Sequence, residues 1–520
     1  KYQTNSEKNT CLLFNDNLKS IFTSVKLNKI YSHNQDNIMT QLAKNWINQE
    51  WLDSPIHTTS INPATYEKIG EYADAQLDDA QKAVEAAKFA FKNTDWANDR
   101  ALRAQALFEL ADVFEKYTSD LIEILSTENG KIKEEAAFEV TMVPSKLRYY
   151  GSLTRTEYGR ALEPKPGSFS MVIRQPMGVA GIIVPWNSPV VLMIRSLAPA
   201  LAAGTTTVIK MPGQTAQTNA LISKIFSQVK SLPKGVINLF SESGADGSKF
   251  LIESPDVPVI SFTGSTTTGR SISATGAQHL KRFGLELGGK TPMIVFNDAN
   301  LDITIPKLVK ALTVFSGQFC MTGSRLLVQK EIAEEVKKRL AVAIENVKVG
   351  PAADPSSEMG PIIDKKNVER INNVVEKAIK EGAQVIVRGG PMTEGELSKG
   401  AFYRPTLLEV ENHSLDIVQQ ETFGPVLTLH VFETEQEAVK LANDSEFGLA
   451  ASIWSTDVNR PLRIARELDA GTIWINDWAV IYDEFEEGGF KQSGLGRMNG
   501  VGAMDDFIEY KHITISSGVL

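Results

Sequence analysis

Apolar positions spaced three and four apart mark the first elements the chain predicts. Leu107, Leu110, Ala111 and Phe114 fall on one helical face, and Ala80, Ala83, Val84 and Ala87 repeat that spacing earlier. Asp78 and Asp79 suit the first turn of the earlier segment, because carboxylates there meet the positive end of the peptide dipoles. The chain is therefore expected to open with helices. From Gly178 the pattern changes to short apolar runs, GVAGIIV, TTTVIK, GVINLF, VPVISFT and RFGLEL, alternating with helix-length segments. Strands apolar on both faces and separated by helices predict an α/β fold with a doubly wound parallel sheet. A second α/β alternation begins near Pro292 and runs to about residue 480, with PMIVFN, SRLLVQ, AQVIVRG, PVLTLHVF and GTIWIN as its strands.

Between the helical opening and the first sheet, residues 154–161 and 168–175 read as two strands around the turn EPKPG. An isolated two-stranded ribbon is marginally stable in water and leaves open edges. It is expected to pair with another subunit or with another part of the sheet.

Composition narrows the possibilities. With 520 residues, 42% of them hydrophobic and 22% charged, the chain has material for two or three domains. Its net charge of -9 is spread among interleaved acidic and basic residues, which argues against a nucleic-acid partner. The most apolar stretch, 178–209, is broken by Pro185, Asn187, Arg195 and Gly204 before it reaches the roughly twenty residues of a membrane span. It reads as buried core. Cys11 and Cys320 are too few for a disulfide framework, and none of the six histidines lies four residues from another. No metal centre is expected, and a reducing cytoplasm suits the chain. The first 38 residues are rich in Asn and Lys and precede Met39, a natural start; they are expected to be a disordered extension.

Three places can carry chemistry. Cys320, in SGQFCMTGS, is the strongest intrinsic nucleophile if it can be deprotonated, although a lone cysteine is more often a small buried hydrophobe. Glu286 ends the run RFGLEL before Gly288 and Gly289, where a carboxylate can line a cleft at the strand ends. A strand-end glutamate is more often solvated or paired. Asn187, in PWNSP, can cap the following helix or offer its amide to a developing oxyanion. In FTGSTTTG, Gly264, Ser265 and Gly269 can turn backbone N–H groups toward a pyrophosphate. The spacing departs from the three-glycine dinucleotide fingerprint, and a serine-capped glycine turn is common punctuation.

Taken in order, PWNSP, Lys210, FTGST, LELGGK, GQFC, ETFGPV and SGLGR resemble the aldehyde dehydrogenase superfamily over nearly all of residues 40–515. The resemblance implies a dinucleotide-binding domain (39–153 and 178–288), a catalytic domain (289–485) and an oligomerisation arm and tail (154–177 and 486–520). It implies a homodimer or homotetramer that oxidises a small-molecule aldehyde to an acid with NAD or NADP. Catalysis would use Cys320 as nucleophile, Asn187 with the Cys320 N–H as oxyanion donors and Glu286 as general base. The cofactor would be met by Pro185, Trp186, Lys210, Gly264, Ser265, Gly269, Leu287, Glu421 and Phe423, and the substrate tunnel by Leu192 and Arg195.

Two departures from the family pattern stand out. Gly213 occupies the position where a glutamate often binds ribose hydroxyls, which leaves the choice between NAD and NADP open. The acidic run Asp483, Glu484, Glu486 and Glu487 stands where relatives place Pro and Phe. Arg195 is similar to the arginine of semialdehyde dehydrogenases that hold a substrate carboxylate, and equally to that of aromatic-aldehyde members; the second arginine of such a clamp is Val314 here. Glu286 favours hydrolysis over transfer to coenzyme A. A non-catalytic protein on the same fold would be free to lose Cys320, Asn187 or Glu286, and a cysteine hydrolase would need a histidine partner.

Overall fold

The computed structural model describes residues 42–516; the expected disordered extension lies outside the described residues. Two sheets organise them. The first has, in spatial order, Glu50–Leu52, Asn45–Ile47, Ile237–Glu242, Thr206–Pro212, Val179–Ile183, Val259–Thr263, Arg282–Glu286 and Gly494–Leu495. Its five central strands are parallel and buried on both faces, as the five apolar runs predicted. Register sets Lys210 beside Ile183, Ile183 beside Phe262, and Thr263 beside Glu286, so the strands end along one edge. Ligands of open parallel sheets bind at that edge. Gly494–Leu495, in the stretch expected to serve as tail, runs antiparallel to Leu285 and Glu286 and closes the sheet.

The expectation of a helical opening is corrected. Among the described residues four strands precede the first helix: two strands at one edge of the first sheet, and a hairpin of Ile56–Ile61 and Lys68–Asp74. The helices themselves stand where the spacing put them, at Leu77–Asn93 and Arg100–Lys116. Asp79 accepts from the Gln76 N–H at 2.9 Å, and Asp99 caps the second helix through the N–H groups of Ala101 and Leu102. Leu107, Leu110 and Phe114 pack with Leu147, Ile194, Leu197 and Ile222 in the largest core cluster. Each such side chain contributes about 1.5–3 kcal/mol by leaving water.

The second sheet runs Gln384–Val387, Thr406–Glu409, Val426–Phe432, Gly323–Gln329, Thr291–Val295, Ala450–Trp454 and Thr472–Ile475. Thr406–Glu409 and Ala450–Trp454 were not foreseen. The latter begins Ala-Ala-Ser, residues that give little apolar signal, yet every one of its five residues is buried.

The ribbon also needs correction. The helix Lys133–Thr156 takes in the first residues assigned to it, and the strands are Arg160–Lys165 and Ser168–Pro176. Ser168–Pro176 pairs antiparallel with Ile508–Ser516 along its whole length, so the C-terminal strand supplies the partner within this same chain. Among the described residues no helix is long and apolar enough to cross a membrane.

Candidate active site

Cys320 follows a strained turn. The helix Leu301–Thr313 ends, and Phe315, Ser316 and Gly317 adopt φ of 50°, 57° and 72° in succession. Left-handed backbone at a non-glycine residue costs about 1–3 kcal/mol and persists only where its surroundings enforce it. Here Glu135 accepts from the Phe315 N–H at 3.0 Å, the Ser316 hydroxyl donates to the Gly360 carbonyl at 2.8 Å, and the Lys131 ammonium sits 3.7 Å from the Phe315 ring centre. A Cβ on Gly317 would lie 2.3 Å from the Gly424 carbonyl carbon, and one on Gly289 would lie 2.6 Å from the Cys320 carbonyl oxygen. Both glycines let backbone approach the Cys320 loop.

The Asn187 loop is fixed by the same buried network. Lys131 pairs with Glu139 and donates to the Ser188 hydroxyl at 2.9 Å. Glu139 in turn accepts from the N–H groups of Val190 and Val191 at the start of the helix Pro189–Ala203. Asn129 donates to the Trp186 carbonyl at 2.7 Å. Asn187 is therefore not the helix cap, because Glu139 does that work. Its Nδ2 instead donates to the Gln318 carbonyl, 3.0 Å away and two residues before the thiol. Lys131, Glu135 and Glu139 gave no sequence signal, since apart from the Lys131–Glu139 pair itself the hydrogen-bond partners of their side chains lie 51 to 180 residues distant.

Four charged groups surround the Cys320 thiol electrostatically: Arg195, Glu286, Glu421 and Glu487. Burial pushes the thiol up to about 12, with the three carboxylates adding to the shift and Arg195 opposing it. Glu286 is raised to about 8, first by burial; Arg195 lowers it, Glu487 raises it, and Arg497 and Asp506 act more weakly in opposite senses. One Glu286 oxygen has no hydrogen-bond partner. Arg195 donates to Glu487 at 3.0 Å and to the Thr263 hydroxyl at 3.2 Å, all within buried surroundings. This accounts for most of the acidic run: Glu487 neutralises Arg195, Asp483 pairs with the buried Lys146 at 2.6 Å, and Glu486 accepts from the Gly502 N–H. Arg195 faces an internal carboxylate, so a substrate clamp there is already occupied. Leu192 lies half-buried one turn earlier on the same helix.

Apolar groups complete the surroundings. Cys320 packs with Met321, Leu449, Trp474, Phe319, Trp478 and Val480. Phe319 meets Trp478 edge to face at 5.8 Å, and the Trp478 indole donates to the Met321 carbonyl.

The residues predicted to meet a nucleotide gather at the strand ends, with differences. Lys210 is the last but two of its strand, and its ammonium has no hydrogen bond or ion pair within the described residues. Burial lowers its proton affinity while Glu242 and Asp74 oppose that. Trp186, beside Pro185, meets Phe423 edge to face at 5.6 Å. Glu421 accepts from the Gly289 N–H at 3.1 Å and is raised to about 7 by burial. The Ser265 hydroxyl caps the helix Thr266–Gly276 by accepting from Thr268, so it is engaged locally. Gly269 serves helix packing: a Cβ there would lie 2.5 Å from Leu287, just as one on Gly264 would strike Phe262 at 2.4 Å. Lys290, missed from sequence, is buried beside Glu421 and lowered to about 7 by burial and then by Arg325.

The family model for the aldehyde dehydrogenase family matches residues 51–513. The chain belongs to the aldehyde dehydrogenase family. It is 36% identical over 472 residues to the betaine aldehyde dehydrogenase of Bacillus subtilis strain 168, covering 90% of this chain and 96% of that one. A crystal structure of Staphylococcus aureus betaine aldehyde dehydrogenase in complex with NAD+ superposes with a TM-score of 0.90 at 32% identity, over 92% of this chain and 95% of the other. This aldehyde dehydrogenase is thus an NAD(P)-dependent oxidoreductase that converts an aldehyde to a carboxylic acid, on the α/β fold the sequence predicted. The cleft fits such a cofactor: an orphaned lysine at a strand end, an aromatic pair and a buried carboxylate stand at the edge where parallel sheets bind nucleotides.

Proposed function

We propose that Cys320, Asn187 and Glu286 carry out hydrolytic aldehyde oxidation, and that the aldehyde is uncharged or cationic. Bound NAD(P)+ supplies the hydride acceptor. Pro185, Trp186, Lys210, Leu287, Glu421 and Phe423 would hold it, with Gly264 and Gly269 allowing close approach. The first sheet is read as the dinucleotide-binding part and the second as the catalytic part.

Cys320 attacks the carbonyl carbon. A thiol pushed up to about 12 is almost wholly protonated at neutral pH; its proton can leave to water, and Glu286, a nearby buried carboxylate with an unpartnered oxygen, assists that loss without being required for it. Asn187 spends one N–H on Gln318 and keeps its second for the developing oxyanion, beside the Cys320 backbone N–H. Once the acyl group is a thioester on Cys320, Glu286 takes a proton from water, and hydrolysis frees the acid. Apolar walls of Phe319, Trp474 and Trp478 keep competing water out.

The Arg195–Glu487 pair carries the substrate reading. Arg195, the cation beside the thiol, is already paired with Glu487, so a carboxylated aldehyde finds no free positive charge there to hold it. Aromatic rings favour aromatic aldehydes, or a quaternary ammonium such as betaine aldehyde, the substrate named for the similar enzymes. Gly213 packs so near the Tyr72 hydroxyl, 2.2 Å from a built Cβ, that no carboxylate stands there to repel a 2′-phosphate. Acceptance of both NAD and NADP is expected. A panel of aromatic, quaternary ammonium and carboxylated aldehydes, assayed with each cofactor, tests this; the best kcat/KM on a carboxylated aldehyde would overturn it.

A homodimer or homotetramer is supported by the arm, where Leu162, Phe169, Tyr510, Ile513 and Ile515 are exposed apolar side chains on an otherwise uncovered three-stranded sheet. A cytoplasmic location is supported by the need to keep Cys320 reduced.

A further inference from the structure

A cavity of about 270 Å³ lies at the root of the arm, remote in sequence from Cys320 and Glu286. Its walls come from the start of the helix Arg100–Lys116, the end of the helix Lys133–Thr156, the strand Ser168–Pro176 and the C-terminal strand Ile508–Ser516. Four cations line it, Arg100, Arg103, Arg174 and Lys511, against one carboxylate, Glu157.

These cations are poorly answered within the chain. Arg103 is 96% buried by its 4% exposure, yet meets no carboxylate: its Nη1 donates to the carbonyls of Trp96 and Ala97, and its Nε has no partner. Arg100 donates to the Glu157 carbonyl, and Lys511 makes no ion pair among the described residues. Arg174 reaches Glu157 at 3.6 Å and Asp505 at 3.0 Å, and Asp505 is shared with the Tyr510 hydroxyl. A buried guanidinium with no carboxylate in contact is costly. Burial, then the neighbouring Arg100, brings Arg103 down to about 10, and Asp99 at the head of the same helix opposes this only in part.

We propose that this cavity binds a phosphate group, free or as a small phosphate monoester, which ties the C-terminal strand to the helical body. Guanidinium forks match phosphate oxygens two at a time, and the volume equals roughly nine waters, room for a phosphate with a short organic tail. Nothing in the aldehyde chemistry uses these residues.

The test is thermal melting of the enzyme saturated with NAD+, so that phosphate cannot act through the nucleotide cleft. Inorganic phosphate and glycerol phosphate are titrated against chloride at equal ionic strength. Both should raise the melting temperature saturably in the wild-type protein, and Lys511→Glu, a change on an exposed strand, should weaken the apparent affinity about tenfold or more. Arg103→Gln should abolish the response; if that variant fails to fold, Lys511→Glu decides alone. Tighter binding of glycerol phosphate assigns the site to a metabolite, and equal binding to free phosphate. No response beyond chloride, or the same response in wild type and Lys511→Glu, overturns the proposal.

Discussion

Glu286 is the residue on which pH dependence turns. Its carboxyl stays protonated in the folded protein up to about 8 but ionises near 4.3 when the chain unfolds. Between those values unfolding releases a proton, so this group costs the folded state stability as pH rises. Glu286→Gln should therefore gain on the wild type between pH 5 and pH 9, by on the order of a few kcal/mol, in denaturant titrations at the two pH values. A constant difference would contradict this. Turnover should climb as pH passes about 8, where the base ionises. Glu487→Gln removes a charge that raises Glu286 and leaves Arg195, which lowers it, unpaired; the acidic limb of the kcat profile should move to lower pH. That Cys320, Glu286 and Asn187 come together was legible because glycine turns and strand ends bring such residues to one edge of a parallel sheet. Glu487 as the partner of Arg195 was not, because 292 residues separate them and only folding closes the pair.

At the scale of elements, the turn Phe315–Ser316–Gly317 and the buried Lys131–Glu139 pair hold the Cys320 and Asn187 loops. Gly317→Ala adds both a left-handed alanine and a clash with Gly424. It should lower kcat at least tenfold while the melting temperature falls only modestly, measured by steady-state kinetics beside calorimetry. Glu139→Gln leaves a buried lysine without its counter-charge and should destabilise by about 3–5 kcal/mol in urea titrations. The parallel strands could be read from continuous apolar runs because burial on both faces erases alternation. Ala450–Trp454 escaped notice since its small residues owe their burial to neighbours on either side. The hairpin's partner, Ile508–Ser516, escaped for another reason: beyond the buried Ile508 its apolar residues are exposed, and the strand it pairs with is mostly half-buried.

For the whole molecule, the exposed arm bears on assembly. Replacing Leu162 and Ile513 by Asp should shift the protein to smaller species in sedimentation while the fold, followed by circular dichroism, persists. Unchanged sedimentation would remove the arm from the interface. The two sheets together bring a strand-end carboxylate, a loop amide and a thiol to one place, and the division of labour among them is the central claim. Rapid mixing of Glu286→Gln with saturating NAD+ and aldehyde, followed by intact-mass analysis, tests it most directly. One equivalent of NADH per Cys320 should form and then stop, with the acyl mass retained on Cys320; continued turnover, or no burst at all, would contradict the assignment of Glu286 to thioester hydrolysis.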